Sequence, residues 1–118
     1  FPIDTASFDL AANPNRHVQR MIRSAFGSDP AVLREASPLL VIKPGMAYPP
    51  FMIATVKQRE GAVAQSKALA EKLPRATLMV RDYPGLGQLK AHGQINRDLA
   101  DPTNPMTQSF MRFVGVAP

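Results

Sequence analysis

The stretch "PPFMIATVKQREGAVAQSKALAEKLPRATLMVRDY", residues 49–83, decides the fold. Its first apolar run, "FMIATV" (51–56), is bounded by a proline pair and by the polar "KQREG". A short, nearly unbroken apolar run of that kind fits a strand buried on both faces, as in a parallel sheet. Residues 62–73, "AVAQSKALAEKL", change the period from two to between three and four. Ala62, Ser66, Leu69, Ala70 and Leu73 make one apolar stripe of a helix, and Pro74 stops it. "ATLMVRDY" (76–83) is then a second strand. Strand, helix and strand in that order, with a helix long enough to cross over, predict a parallel pair and the α/β class.

Working outward, "NPNRHVQRMIRSAFG" (13–27) predicts a helix with Asn13 as cap, Pro14 in its first turn and Gly27 closing it. Val18, Met21, Ile22, Ala25 and Phe26 form its inward side, and His17 lies by the polar face as a solvated histidine. "SDPAVLREASP" repeats the pattern, capped by Ser28 or Asp29 and stopped by Pro38, with the apolar run "LLVI" behind it. "FPID" at the start reads as the tail of a buried strand. Past the second strand, "PGLGQLKAHGQIN" reads as a long loop, and "PMTQSFMRFV" as a last helix turning Met106, Phe110, Phe113 and Val114 inward. The methionines read as packing residues.

Composition narrows the possible roles. The chain has 118 residues, 45% of them hydrophobic and 19% charged, enough for one ordinary core. Fourteen Lys and Arg against nine Asp and Glu give a formal charge of +5. The basic residues are scattered and there is no Trp, which argues against a nucleic-acid partner. There is no cysteine, which excludes Cys-based zinc sites, and two histidines are too few for most His-built metal sites, so no metal is expected. "YPGLGQLK" lacks the third glycine of a dinucleotide fingerprint, and no cofactor is expected. Nothing reaches the 18 or so apolar residues that roughly mark a membrane span.

Parallel α/β sheets carry their chemistry at the carboxyl ends of the strands. His92 follows the second strand and Glu60 follows the first, so a base and an orienting carboxylate are expected at one edge. Asn96 and Asp98, just beyond, read as residues that tie the turn into the last helix.

Taken in order, "FPIDTASFDL", "AFGSDPAVLREASPL", "PPFMIATV", "AQSKALAEKL" and "AHGQINRDLADPTNPMTQSFMRFV" resemble the C-terminal part of α/β-hydrolase-fold esterases, of the carboxylesterase and feruloyl-esterase-like kind. The resemblance covers nearly the whole chain. It implies that residues 1–118 are one C-terminal half-domain, whose sheet another chain segment completes. It also implies that His92 is the triad base of a serine-dependent carboxylic ester hydrolase. The acid of that family follows the strand matched here by "FMIATV". This chain has Lys57, Gln58, Arg59 and Glu60 at that place and no Asp, which leaves Glu60 as the carboxylate. None of Ser7, Ser24, Ser28, Ser37, Ser66 or Ser109 sits in a G-x-S-x-G elbow. The expected partner is therefore an N-terminal esterase segment bearing that serine, acting with this chain on a small-molecule ester. Without it this chain is expected to be inactive. The alternative is a non-catalytic binding or interaction module that retains the hydrolase architecture.

Overall fold

The computed structural model describes residues 8–13 and 15–116. The expected strand in "FPID" lies outside them. Among the described residues, six helices accompany a two-stranded parallel sheet, a mixed α/β architecture. In chain order these are α1 (Arg16–Phe26), α2 (Pro30–Glu35), α3 (Pro38–Val41), β1 (Phe51–Val56), α4 (Glu60–Lys72), β2 (Ala76–Arg81), α5 (Gln88–Ala100) and α6 (Pro105–Phe113).

The expected β–α–β unit is present. β1 pairs with β2 in parallel, with Phe51 opposite Ala76 and Val56 opposite Arg81. α4 buries Ala62, Ser66 and Leu69, the stripe its spacing predicts. Leu69 and Leu73 pack with Ile53, and Leu78 closes over them from β2. On the sheet's other face Val56 meets Ala91 and Ile95 of α5 and Met106 of α6, with Ala54 and Met79 beside them. Helices thus cover both faces, because side chains alternate along each strand and both sets here are apolar.

The two edges are different. Phe51 N–H donates to the Arg75 carbonyl and Lys57 N–H to that of Arg81, both toward β2. A parallel ladder uses alternate residues of a strand, so Met52 and Ala54 turn their backbone groups to the opposite edge. Among the described residues no strand pairs with that edge. An apolar groove of about 410 Å³ runs beside it, lined by Phe8, Val41, Ile42, Tyr48, Met52 and Ala54 among others.

Several expectations need correction. α1 is capped by Asn15, whose Oδ1 accepts from His17 N–H and Val18 N–H, and not by Asn13. Asn13 instead accepts from Asn15 N–H, one step earlier in the same turn. Pro38 does not merely stop α2 but opens α3, which takes up most of "LLVI". Residues 88–100 are a helix, not a loop. Ala91, Ile95 and Leu99 recur every four residues and pack on the sheet, and that burial outweighs the roughly 1 kcal/mol an internal glycine such as Gly93 costs a helix. In α6 only Met106 and Thr107 are buried, while Phe110, Phe113 and Val114 are exposed. Met21 and Phe26 of α1 are exposed too, leaving Val18 and Ile22 as its buried pair. His17 is exposed, as expected.

Candidate functional site

The loops that follow β1 and β2 are tied to each other at the carboxyl edge. Gln58 Nε2 donates to Asp82 Oδ1 at 2.9 Å and to the Tyr83 carbonyl at 2.7 Å. Lys57 Nζ sits 3.4 Å from Asp82 Oδ2, an exposed pair that adds little stability but shares the same carboxylate. Arg59 N–H then turns back to the Val56 carbonyl, and α4 begins at Glu60. The helix therefore starts two residues before its apolar stripe, which places Glu60 in its first turn rather than in a loop.

β2 feeds α5 through "DYPGLG", and Tyr83 anchors the junction. Its hydroxyl donates to Asp98 Oδ2 at 2.5 Å, and Gln94 Nε2 donates to Asp98 Oδ1 at 2.8 Å. These two donors, Tyr83 first, hold the Asp98 carboxyl below its ordinary pKa, whereas burial and then the Asp98 bond raise that of Tyr83. The Asp98 carbonyl accepts from Thr107 Oγ1 at 2.8 Å, which fixes α6 to α5. The structural role expected for Asp98 is thus realised in side chain and backbone alike. The sequence reading missed Tyr83. Its place, directly after a strand and fifteen residues before a carboxylate, offers no periodic signal.

His92 lies one residue beyond fully buried Ala91 and is partly buried against the carboxyl end of β1. A small cavity of about 110 Å³ beside it is lined by Ala54, Thr55, Val56, Arg59, His92, Ile95, Asn96 and Leu99. The Arg59 guanidinium Nη1 is 3.4 Å from His92 Nδ1. A guanidinium has only donors, so this contact is a hydrogen bond only in the tautomer that carries its ring proton on Nε2.

Glu60 lies elsewhere. It lines a broader cleft of about 730 Å³ with Asn13, Lys57, Gln58 and Gln65, and among the described residues Arg59 alone lines both spaces. The structure brings His92 to the strand end, as the sequence predicts, but gives it Arg59 and not Glu60 as its polar neighbour at Nδ1. Arg59 was legible only as the residue standing where an acid was sought. Among the described residues no three metal-binding side chains gather, and no helix is long and apolar enough to cross a membrane. No protein-family model, curated protein or solved structure matches this chain.

Proposed function

We propose that this chain is the C-terminal portion of an α/β-hydrolase-type serine carboxylic ester hydrolase, contributing His92 as general base. The observation that carries this is the position of His92 beside the carboxyl end of a parallel strand, where sheets of this kind place their reacting groups. The nucleophile belongs to an N-terminal segment with a G-x-S-x-G elbow. A strand of that segment pairs with the open edge at Met52 and Ala54, and its apolar side chains fill the neighbouring groove. His92 Nε2 takes the serine proton as the oxygen attacks the ester carbonyl, and returns it to the leaving alcohol. That chemistry needs Nδ1–H donated to a carboxylate. Arg59 must leave Nδ1 when the two segments join, and Glu60, next in the chain, takes its place.

The test is p-nitrophenyl acetate turnover by this chain co-expressed with the serine-bearing segment. His92→Ala is expected to lower kcat by on the order of 10⁴- to 10⁶-fold, and Glu60→Gln by on the order of 10⁴-fold. Turnover unchanged in His92→Ala would end the assignment.

A second function is favoured by one observation, the Arg59 contact at Nδ1. A ring held in the Nε2–H form is a donor and not a base at that nitrogen. A non-catalytic binding module built on the same architecture accounts for it directly. Absence of any His92-dependent turnover in the co-expressed pair, with the segments still associated, would select this second function.

A further inference from the structure

β1 carries none of the devices that keep a free strand edge from pairing. Within "FMIATV" there is no charged residue and no proline, and its register with β2 runs without a bulge from Phe51 to Val56. Met52 and Ala54 turn their backbone N–H and C=O groups to the open edge, and among the described residues no other strand or loop bonds to them. The groove of about 410 Å³ beside that edge is walled by Val41, Ile42, Tyr48, Phe51, Leu69 and Leu73 among others, and among the described residues no charged side chain lines it. Val41 and Phe51 in that wall stay 47% and 38% exposed. An unpaired backbone ladder flanked by an apolar trough is completed by an added strand whose alternate side chains enter the trough.

Charge distinguishes which strand fits. Three exposed cations stand next to groove residues toward the amino end of β1. Lys43 follows Ile42, and its backbone N–H donates to the Tyr48 hydroxyl at 2.9 Å. Lys72 precedes Leu73 and donates an ammonium N–H to the Leu39 carbonyl at 2.8 Å. Arg75, whose carbonyl accepts from Phe51 N–H, donates from Nη2 to the Tyr48 carbonyl at 3.3 Å. A carbonyl orients a cation without neutralising it, and among the described residues none of the three forms an ion pair with a carboxylate. A second copy of this chain, at a formal charge of +5, brings more charge of the same sign to that rim. A strand bearing carboxylates brings the opposite sign.

We propose that the open edge of β1 receives an acidic strand, an extended segment with aliphatic side chains at alternate positions and Asp or Glu at the end lying beside Phe51. Its backbone pairs with Met52 and Ala54, its aliphatic side chains fill the groove, and Lys43, Lys72 and Arg75 attract its carboxylates. This rests on the part of the proposed function in which a strand of a further segment closes this edge, and it names the chemistry of that strand.

The experiment titrates the ¹⁵N-labelled 118-residue chain with the blocked peptide acetyl-Glu-Glu-Val-Thr-Val-Thr-Val-Glu-Glu-amide and follows amide hydrogen exchange. One comparison peptide has Lys in place of every Glu, and another has Pro in place of the central Val. The Glu peptide is expected to protect the Met52 and Ala54 amides saturably, while Ile53 and Thr55, already turned to β2, change little. The Lys peptide should bind about tenfold more weakly or worse, since several exposed charge pairs are lost together, and the Pro peptide should give no protection. Lys43→Glu and Lys72→Gln, both at exposed positions, should each weaken the Glu peptide about threefold, with the amide spectrum elsewhere unchanged. Added sodium chloride should weaken it further. No protection at Met52 and Ala54, equal binding of the Lys peptide, or an affinity unaltered in both variants overturns the proposal. So does protection that arises without peptide as protein concentration and sedimenting mass rise together, the mark of a second copy on this edge. Protection by the Glu peptide without turnover in the co-expressed pair would uphold the acidic strand and end the hydrolase assignment. Turnover in that pair with no preference for the Glu peptide would do the reverse.

Discussion

α5 and α1 are both amphipathic helices that dock on the rest of the molecule, yet they use their apolar residues differently. In α5 the four-residue repeat of Ala91, Ile95 and Leu99 lies on the sheet, with Ala91 fully enclosed. In α1 only Val18 and Ile22 are buried, against Leu10 and Leu33, while Met21 and Phe26 remain 48% and 43% exposed. The sheet offers α5 a broad apolar face, with a second helix, α6, closing one side. Among the described residues, the buried pair of α1 packs against a short helix and the segment around Leu10. The lesson is that periodicity identifies which face of a helix can be buried, while the area of the surface opposite determines how much of it is.

Three changes sharpen that contrast. Ile95→Ala empties the centre of the α5 interface and is expected to cost about 2–5 kcal/mol, read by urea unfolding of the isolated chain. A cost no larger than that of a surface substitution would mean that α5 contributes little to holding the sheet. Tyr83→Phe removes one hydrogen bond from the Asp98 knot and should cost about 1 kcal/mol at neutral pH.

That loss depends on pH, and its sign follows from Asp98. Tyr83 and Gln94 depress its folded pKa below the unfolded value near 3.8, so the stabilisation is fully present above 3.8 and disappears as pH falls through the folded value. The difference between wild type and Tyr83→Phe should therefore shrink on acidification, and unfolding curves at neutral and acid pH measure it. A difference that grew instead would contradict the hydrogen bond to an ionised carboxylate. Phe110→Ser, on the exposed side of α6, should change stability least, within about 0.5 kcal/mol. A large loss there would show that Phe110 is covered in solution, as it would be if a further segment packs on α6.

Much of the central unit was legible in the sequence because strand and helix periods alternate cleanly from Phe51 to Arg81. The helix at 88–100 was concealed by its glycines. Gly85 and Gly87 signal a turn before it, Gly93 sits within it, and Gly87 supplies no side-chain cap at its start. The position of His92 beside a strand end was legible from its place after the second strand. Its actual neighbour was not, because side chains reach across the loop: Arg59 extends to the imidazole while the adjacent Glu60, one helical step on, faces the other cleft.

The sequence by itself determined the α/β class, the parallel order of β1 and β2, the stripe of α4 and the placement of His92 at the carboxyl edge. These are local or nearest-neighbour properties, set by backbone preference and the spacing of apolar residues. Only the tertiary structure decided that residues 88–100 are helical, that Tyr83 ties β2 to Asp98, that α1 and α6 keep apolar residues exposed, and that Arg59 stands at Nδ1. Each depends on which surfaces and side chains meet across long separations in the chain, and burial and hydrogen bonding at those meetings outweigh the weaker preferences of any single segment.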